Sequence, residues 1–147
     1  MIDITTDSRE IRHATTVALC GVAVMIEGPS GSGKSALGLE LMAHGAELVA
    51  DDRTLLERDG DRVLASAPPT LPARIEARGV GLLPARLAGP TPLRLVVRMV
   101  PVETARLPQP ATTCVLGHNV TLIHKCETGH FGAALLQFIR GHHESLQ

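Results

Sequence analysis

The 147-residue chain contains no apolar run approaching the roughly 20 residues that a membrane-spanning helix needs. Its opening, "MIDITTDSREIRH", lacks the basic-then-apolar order of a secretory signal. Neither sign of charge dominates: 14 Lys and Arg stand against 15 Asp and Glu, so the formal net charge is -1 and no long-range field draws the protein to nucleic acid or to an anionic membrane. A cytoplasmic protein with neither nucleic-acid nor membrane partner is expected. The three cysteines, Cys20, Cys114 and Cys126, are odd in number and far apart, without CxxC spacing; this argues against a disulfide framework or a thiolate metal site. Reduced, mostly buried thiols are expected. No internal repeat or low-complexity tract occurs. With 44% hydrophobic and 20% charged residues, the composition suits one globular domain over residues 1–147.

Against these absences stands "GPSGSGKS", from Gly28 through Pro29, Ser30, Gly31, Ser32 and Gly33 to Lys34 and Ser35. It fits the P-loop pattern GxxxxGK followed by Ser or Thr, and each fixed position has a physical task. Glycines let backbone N–H groups converge on phosphate oxygens at a helix N-terminus. The Lys34 ammonium would bridge the terminal phosphates, and the Ser35 hydroxyl would ligate magnesium. Upstream, "TVALCGVAVMIEG" reads as a hairpin or bent strand that turns at Gly21 and ends at Gly28. Downstream, "SALGLELMAHG" puts Leu37, Leu41 and His44 at helical spacing and stops at Gly45, and "AELVADD" reads as a short strand. Strand, loop, helix and strand predict a βαβ unit in a parallel sheet, with Gly28 and Asp51 leaving by the same edge. Asp51 and Asp52 therefore fall beside the phosphates. One carboxylate can hold magnesium while the other accepts the proton of an attacking hydroxyl, and their order stays open on these grounds.

The Pro- and Gly-rich stretch from Ala67 to Pro92 predicts mainly loop, with one short helix or strand around "ARIEARGVGLL". "LRLVVRMV" and "TCVLGHNVTLIH" have strand composition, and Pro101, Pro108 and Pro110 mark a loop between them. The segment "HFGAALLQFIRG" predicts a helix burying Phe131, Ala134, Leu135 and Phe138.

The ungapped run from Gly28 to Asp52, together with "RIEARGVGLL" from Arg74 to Leu83, resembles the HPr kinase/phosphorylase family, whose signature is usually written IEIRGLGII. The resemblance implies an α/β fold of the type shared by HPr kinase and phosphoenolpyruvate carboxykinase, with a central mixed sheet and flanking helices. It implies an ATP- and magnesium-dependent serine kinase acting on an HPr-like phosphocarrier, commonly as a homo-oligomer. By the same resemblance Asp52 is the proton acceptor, Asp51 supports the metal or the base, and Ser35 and Glu76 are magnesium ligands. His13 matches the family's active-site histidine, and Arg106 in "ETARLP" its catalytic arginine. The family's N-terminal domain has no counterpart here, which implies the short form reduced to the catalytic domain. "VLGHN" corresponds to a family loop ending Gly-Arg-Asn that serves phosphate removal. Here His118 takes the place of arginine, and a weaker reverse reaction is expected because imidazole, unlike guanidinium, is not permanently charged. Two other classes fit the P-loop: a small-molecule kinase, against which an Arg-rich lid is lacking, and a nucleotide-dependent regulatory module, for which no NKxD guanine motif is present.

Overall fold

The computed structural model describes residues 8–146, which form eleven strands and two helices. Strand β1 (Arg9–Arg12) is followed by a hairpin of β2 (Ala14–Leu19) and β3 (Val22–Glu27). Its turn, Cys20 and Gly21, has φ of 55 and 77, the positive pair that matches the twist of flanking strands. The P-loop leads into α1 (Lys34–Ala43) and then β4 (Glu47–Ala50). The two strands flanking α1 are not neighbours, contrary to the simplest βαβ expectation. β2 lies between β3 and β4, antiparallel to both, because the two-residue hairpin has already taken the place beside β3. β3 and β4 still run the same way, and the pairs Ala14↔Glu27 and Thr16↔Ala50 bring their C-terminal ends to one edge.

A second hairpin, β5 (Thr54–Asp59) and β6 (Arg62–Ser66), pairs with β1 to make a three-stranded antiparallel meander that the sequence reading did not foresee. The Asp59-Gly60 dipeptide between two strand-like runs was its readable signal. The Pro- and Gly-rich segment holds a separate two-stranded hairpin, β7 (Arg74–Ala77) and β8 (Gly81–Pro84). Strand β9 (Thr91–Glu103) first pairs with β6, then runs parallel to β3 on one side and to β11 (His118–Cys126) on the other, and β10 (Ala111–Val115) closes that flank. Pro101 lies inside β9 rather than marking a loop. It falls where the ladder to β11 is irregular, between His124↔Arg98 and Cys126↔Glu103, so its missing N–H forfeits no regular bond.

The core has two halves, one on each face of this mixed sheet. On one face Leu37 and Leu41 of α1 pack with Phe131, Leu135, Leu136 and Ile139 of α2 (Phe131–His142) over Val24, Ile26, Leu95 and Val97. Both helices thus cover the same face. On the other, Leu56 of β5 with Val63 and Ala65 of β6 packs on Ala23, Met25 and Val96, so the meander serves as the second cover. The buried stripe of α2 is rotated from the expected one: Ala134 is exposed and Phe138 half-buried, while Leu136 and Ile139 are buried. Cys20 and Cys114 are exposed and Cys126 is half-buried, against the expected burial, because they fall on a hairpin turn and on strands at the sheet flank.

Candidate active site

The residues around Gly28 show why this loop needs glycine. A Cβ on Gly28 would stand 2.7 Å from Ser32 Oγ and 2.9 Å from Met99 Cβ. Gly31 and Gly33 take φ of 80 and 95, which L side chains rarely adopt. Helix α1 begins on Gly33 without a side-chain cap and without an acidic residue in its first turn. Its first N–H groups and the positive end of its dipole are therefore left to an anion. Lys34 Nζ is folded onto the loop, donating to the carbonyls of Gly28 at 2.7 Å and Pro29 at 3.2 Å. Ser32 Oγ is buried with no hydrogen-bond partner among the described residues. Lys34, which lines a cavity beside the loop, can turn from these carbonyls to a phosphate oxygen.

At the end of β4 the two aspartates have opposite surroundings. Asp51 is half-buried, and its Oδ1 accepts the Ser35 hydroxyl at 2.7 Å and the Thr15 hydroxyl at 2.8 Å. Its Oδ2 accepts the backbone N–H of Glu76 at 3.0 Å, which fastens the β7–β8 hairpin to the loop. Asp52 is exposed, at φ 70, and its carboxylate has no hydrogen-bond partner among the described residues. Its carbonyl accepts the N–H of Ala14 at 3.1 Å, so the turn is held by backbone while the side chain stays free. Aspartate tolerates this left-handed conformation better than most residues, and an exposed acceptor kept there fits a functional position.

A cavity of about 460 Å³ is lined by Gly31, Gly33, Lys34, Ser35, Asp52 and Glu76. Arg78 and Val80 reach it from the hairpin, Val80 being 76% exposed. A second cavity joins Asp51, Asp52, Glu76 and Arg74 beside Ser35. Ser30 also lines the first cavity, whereas Gly28, Pro29 and Ser32 shape the loop from outside it. Glu76 and Arg78 make no ion pair with each other among the described residues, so a surface pair does not account for them.

Three carboxylates next to a phosphate loop repel a polyphosphate unless a cation lies between them. Ser35 and Glu76 both line these cavities, and the Ser35 hydroxyl hydrogen goes to Asp51, so its oxygen lone pairs could serve a hard cation. No group of three His, Cys, Asp or Glu side chains among the described residues forms a ready-made metal cage. Magnesium held by a phosphate, waters and one or two protein oxygens needs no such cage. The donor set therefore fits magnesium with a nucleotide.

Two expected residues stand apart. His13 is exposed between β1 and β2, one residue before the Ala14 that bonds Asp52, and lines neither cavity. Arg106 is exposed in the loop after β9 and also lines neither. That loop does leave by the P-loop's edge, since β9 parallels β3 and continues past the Glu27↔Arg98 pair. His118 opens β11 beside Leu93 and Arg94, at the opposite edge of the sheet. Within one chain it does not reach the P-loop. Thr15 was not anticipated, because a threonine in a β-branched run reads simply as strand.

The glycine cradle, the lysine and serine of the P-loop pattern, and a strand-end carboxylate on that serine place the protein in the class of P-loop nucleotide-binding α/β folds. The particular family is shown by comparison: residues 5–89 match the family described as HPr Serine kinase C-terminal domain, and the chain belongs to it. A protein named HPr kinase/phosphorylase from Verminephrobacter eiseniae is 41% identical over 123 residues, covering 74% of this chain and 39% of the relative. Another of that name from Nitrosomonas europaea is 45% identical over 85 residues, 56% of this chain and 26% of the relative. The chain thus spans well under half the length of these relatives. The solved Hpr(Ser) kinase/phosphatase from Coxiella burnetii superposes with a TM-score of 0.78 at 22% identity, covering 91% of this chain and 90% of that one. The expected α/β fold of the HPr kinase type is thereby borne out, with both helices on one face. No helix among the described residues is long and apolar enough to cross a membrane.

Proposed function

We propose that the protein is an ATP- and magnesium-dependent serine kinase whose acceptor is an HPr-like phosphocarrier protein. The observation that carries this reading is the split between adjacent carboxylates: Asp51 is bound to the P-loop serine at 2.7 Å, while Asp52 faces the same cavity without a partner. The loop N–H groups and Lys34 bind and orient the phosphates, with Lys34 leaving its loop carbonyls to do so. Ser35 and Glu76 hold magnesium, which when bound offsets the charge of the phosphates. Asp52 takes the proton of the acceptor serine as its oxygen bonds to the γ-phosphorus and the bond to the ADP oxygen breaks. His13 and Arg106, both on this edge of the sheet, are assigned to the side from which the acceptor arrives, Arg106 stabilising transferred charge. A homo-oligomer, cytoplasmic like its carrier, completes the proposal.

The test mixes the protein with ATP, magnesium and an HPr-like protein and seeks phosphoserine by mass spectrometry, with a panel of metabolite alcohols in parallel. Phosphoserine on the carrier supports the reading. Phosphorylation of a metabolite alone would replace it with a small-molecule kinase.

A further inference from the structure

Thr15 stands on β2 with its side chain wholly buried, so its hydroxyl has to find a partner inside the protein. It donates to Asp51 Oδ1 at 2.8 Å, the oxygen that also takes the Ser35 hydroxyl, and the two hydroxyl oxygens are 3.5 Å apart. Its methyl group is seated against α1 at the one place where the helix offers no side chain: a Cβ on Gly38 would stand 2.8 Å from Thr15 Cγ2. Helix and strand thus approach each other at a glycine, and the residue occupying the space is the one that bonds the carboxylate.

The terminal torsion of an aspartate is broad, so its donors decide where its oxygens lie. We propose that Thr15 is a positioning residue: it fixes the orientation of Asp51 and thereby the direction in which Ser35 offers its oxygen to magnesium. The magnesium part rests on the kinase reading above; the hold on Asp51 is a property of the protein alone. The neighbouring Thr16 supplies a contrast. It is equally buried but bonds Thr54 at 2.8 Å, away from Asp51.

Two variants separate hydroxyl from shape. Thr15→Val keeps the packing and removes the donor, whereas Thr15→Ser keeps the donor and loses the methyl. Without nucleotide, amide hydrogen exchange at Glu76, read by NMR, should accelerate severalfold in Thr15→Val and stay near wild type in Thr15→Ser. By calorimetry, the magnesium needed for half-maximal ATP binding should rise about tenfold in Thr15→Val and change little in Thr15→Ser, with metal-free ATP binding unaltered in both. Thr16→Val should lower the melting temperature while moving neither readout. If the valine and serine variants shift both readouts alike, in step with their melting temperatures, or if valine shifts neither, the proposal is overturned. A wild-type protein that binds no ATP would overturn the kinase reading instead, and the exchange comparison, which needs no nucleotide, would still decide whether Thr15 holds Asp51.

Discussion

The two edges of the sheet both carry a polar cavity, and their composition alone would not rank them. At the P-loop edge Lys34, Arg74 and Arg78 meet Asp51, Asp52 and Glu76. At the opposite edge Asp61, Arg62, Arg94, His118 and Asn119 line a cavity of about 240 Å³. The difference lies in what holds the side chains. Asp51 is fixed by three donors from three separate segments, the strand β2, the helix α1 and the hairpin β7–β8. The far edge has neither a glycine cradle nor a helix N-terminus, and Arg94 has no charged partner among the described residues. Charged residues at a strand end are common; a carboxylate oriented from three directions beside a glycine loop at an uncapped helix N-terminus is a prepared site.

The contrast is tested first where its effect should be largest. Asp52→Asn keeps shape but cannot take the proton, so the phosphorylation rate should fall by about 10²- to 10⁴-fold with ATP affinity retained. Single-turnover kinetics checks this, and a mild effect would move the base elsewhere. Asp51→Asn should act differently. At the Oδ2 place its amide nitrogen would face the Glu76 N–H, and at the Oδ1 place the Thr15 and Ser35 hydroxyls would have to turn and accept, losing the carboxylate that takes their hydrogens. Magnesium affinity should drop by about ten- to a hundredfold, and stability by about 1–3 kcal/mol. Magnesium titration and thermal melting by circular dichroism measure the pair, the latter because the chain has no Trp or Tyr to report by fluorescence. If Asp51→Asn lost rate alone and Asp52→Asn lost metal alone, the roles would be exchanged.

How much of this was legible in the sequence follows from the range of the forces involved. The P-loop was, because each of its constraints is local backbone geometry: Gly31 and Gly33 at positive φ and Gly28 against Ser32. The hairpin at Gly21 and the helix stopping at Gly45 were legible for the same reason. The insertion of β2 between β3 and β4 was not, since a strand's neighbour depends on distant segments. Nor could spacing distinguish Asp51 from Asp52; their difference arises from Thr15 and Glu76, 36 and 25 residues away in sequence. The resemblance to a family supplied roles for the pair, while the surroundings that suit those roles became visible only in the fold. The place of His118 was likewise illegible, because a motif aligned along the chain says nothing about which edge of a sheet it reaches.

Within the prepared edge, a smaller effect is expected at Glu76. Its backbone N–H serves Asp51 and the residue lines the cavity, so Glu76→Gln leaves the hairpin anchored and removes only the charge of the proposed ligand. The magnesium concentration giving half-maximal activity should rise by about three- to tenfold, since a neutral amide is a poorer ligand for a hard cation. An unchanged magnesium dependence would take Glu76 out of the metal site.

The smallest effect belongs to the far edge. His118 lies beside Arg94 and Asn119, and its Nδ1 faces the Leu116 carbonyl at 3.2 Å. β11 parallels β9, so His118 precedes the Thr121↔Leu95 pair, whereas the P-loop begins beyond the Glu27↔Arg98 pair. Several residues of extended strand separate the two, which at about 3.3 Å each exceeds the reach of an arginine side chain. A guanidinium at this position would add a charge near Arg62 and Arg94 without nearing the phosphates, and at a separation beyond a Debye length the solvent around the exposed edges screens much of what field remains. His118→Arg should therefore change carrier phosphorylation by less than about twofold, and phosphate-dependent removal of phosphate from the carrier by no more, given the ordinary range for surface changes. Both directions can be followed with phosphorylated and unphosphorylated carrier at fixed magnesium. A large gain in the reverse direction would mean that the far edge of one chain serves the P-loop edge of another, and the contrast between the edges would then hold only within a single subunit.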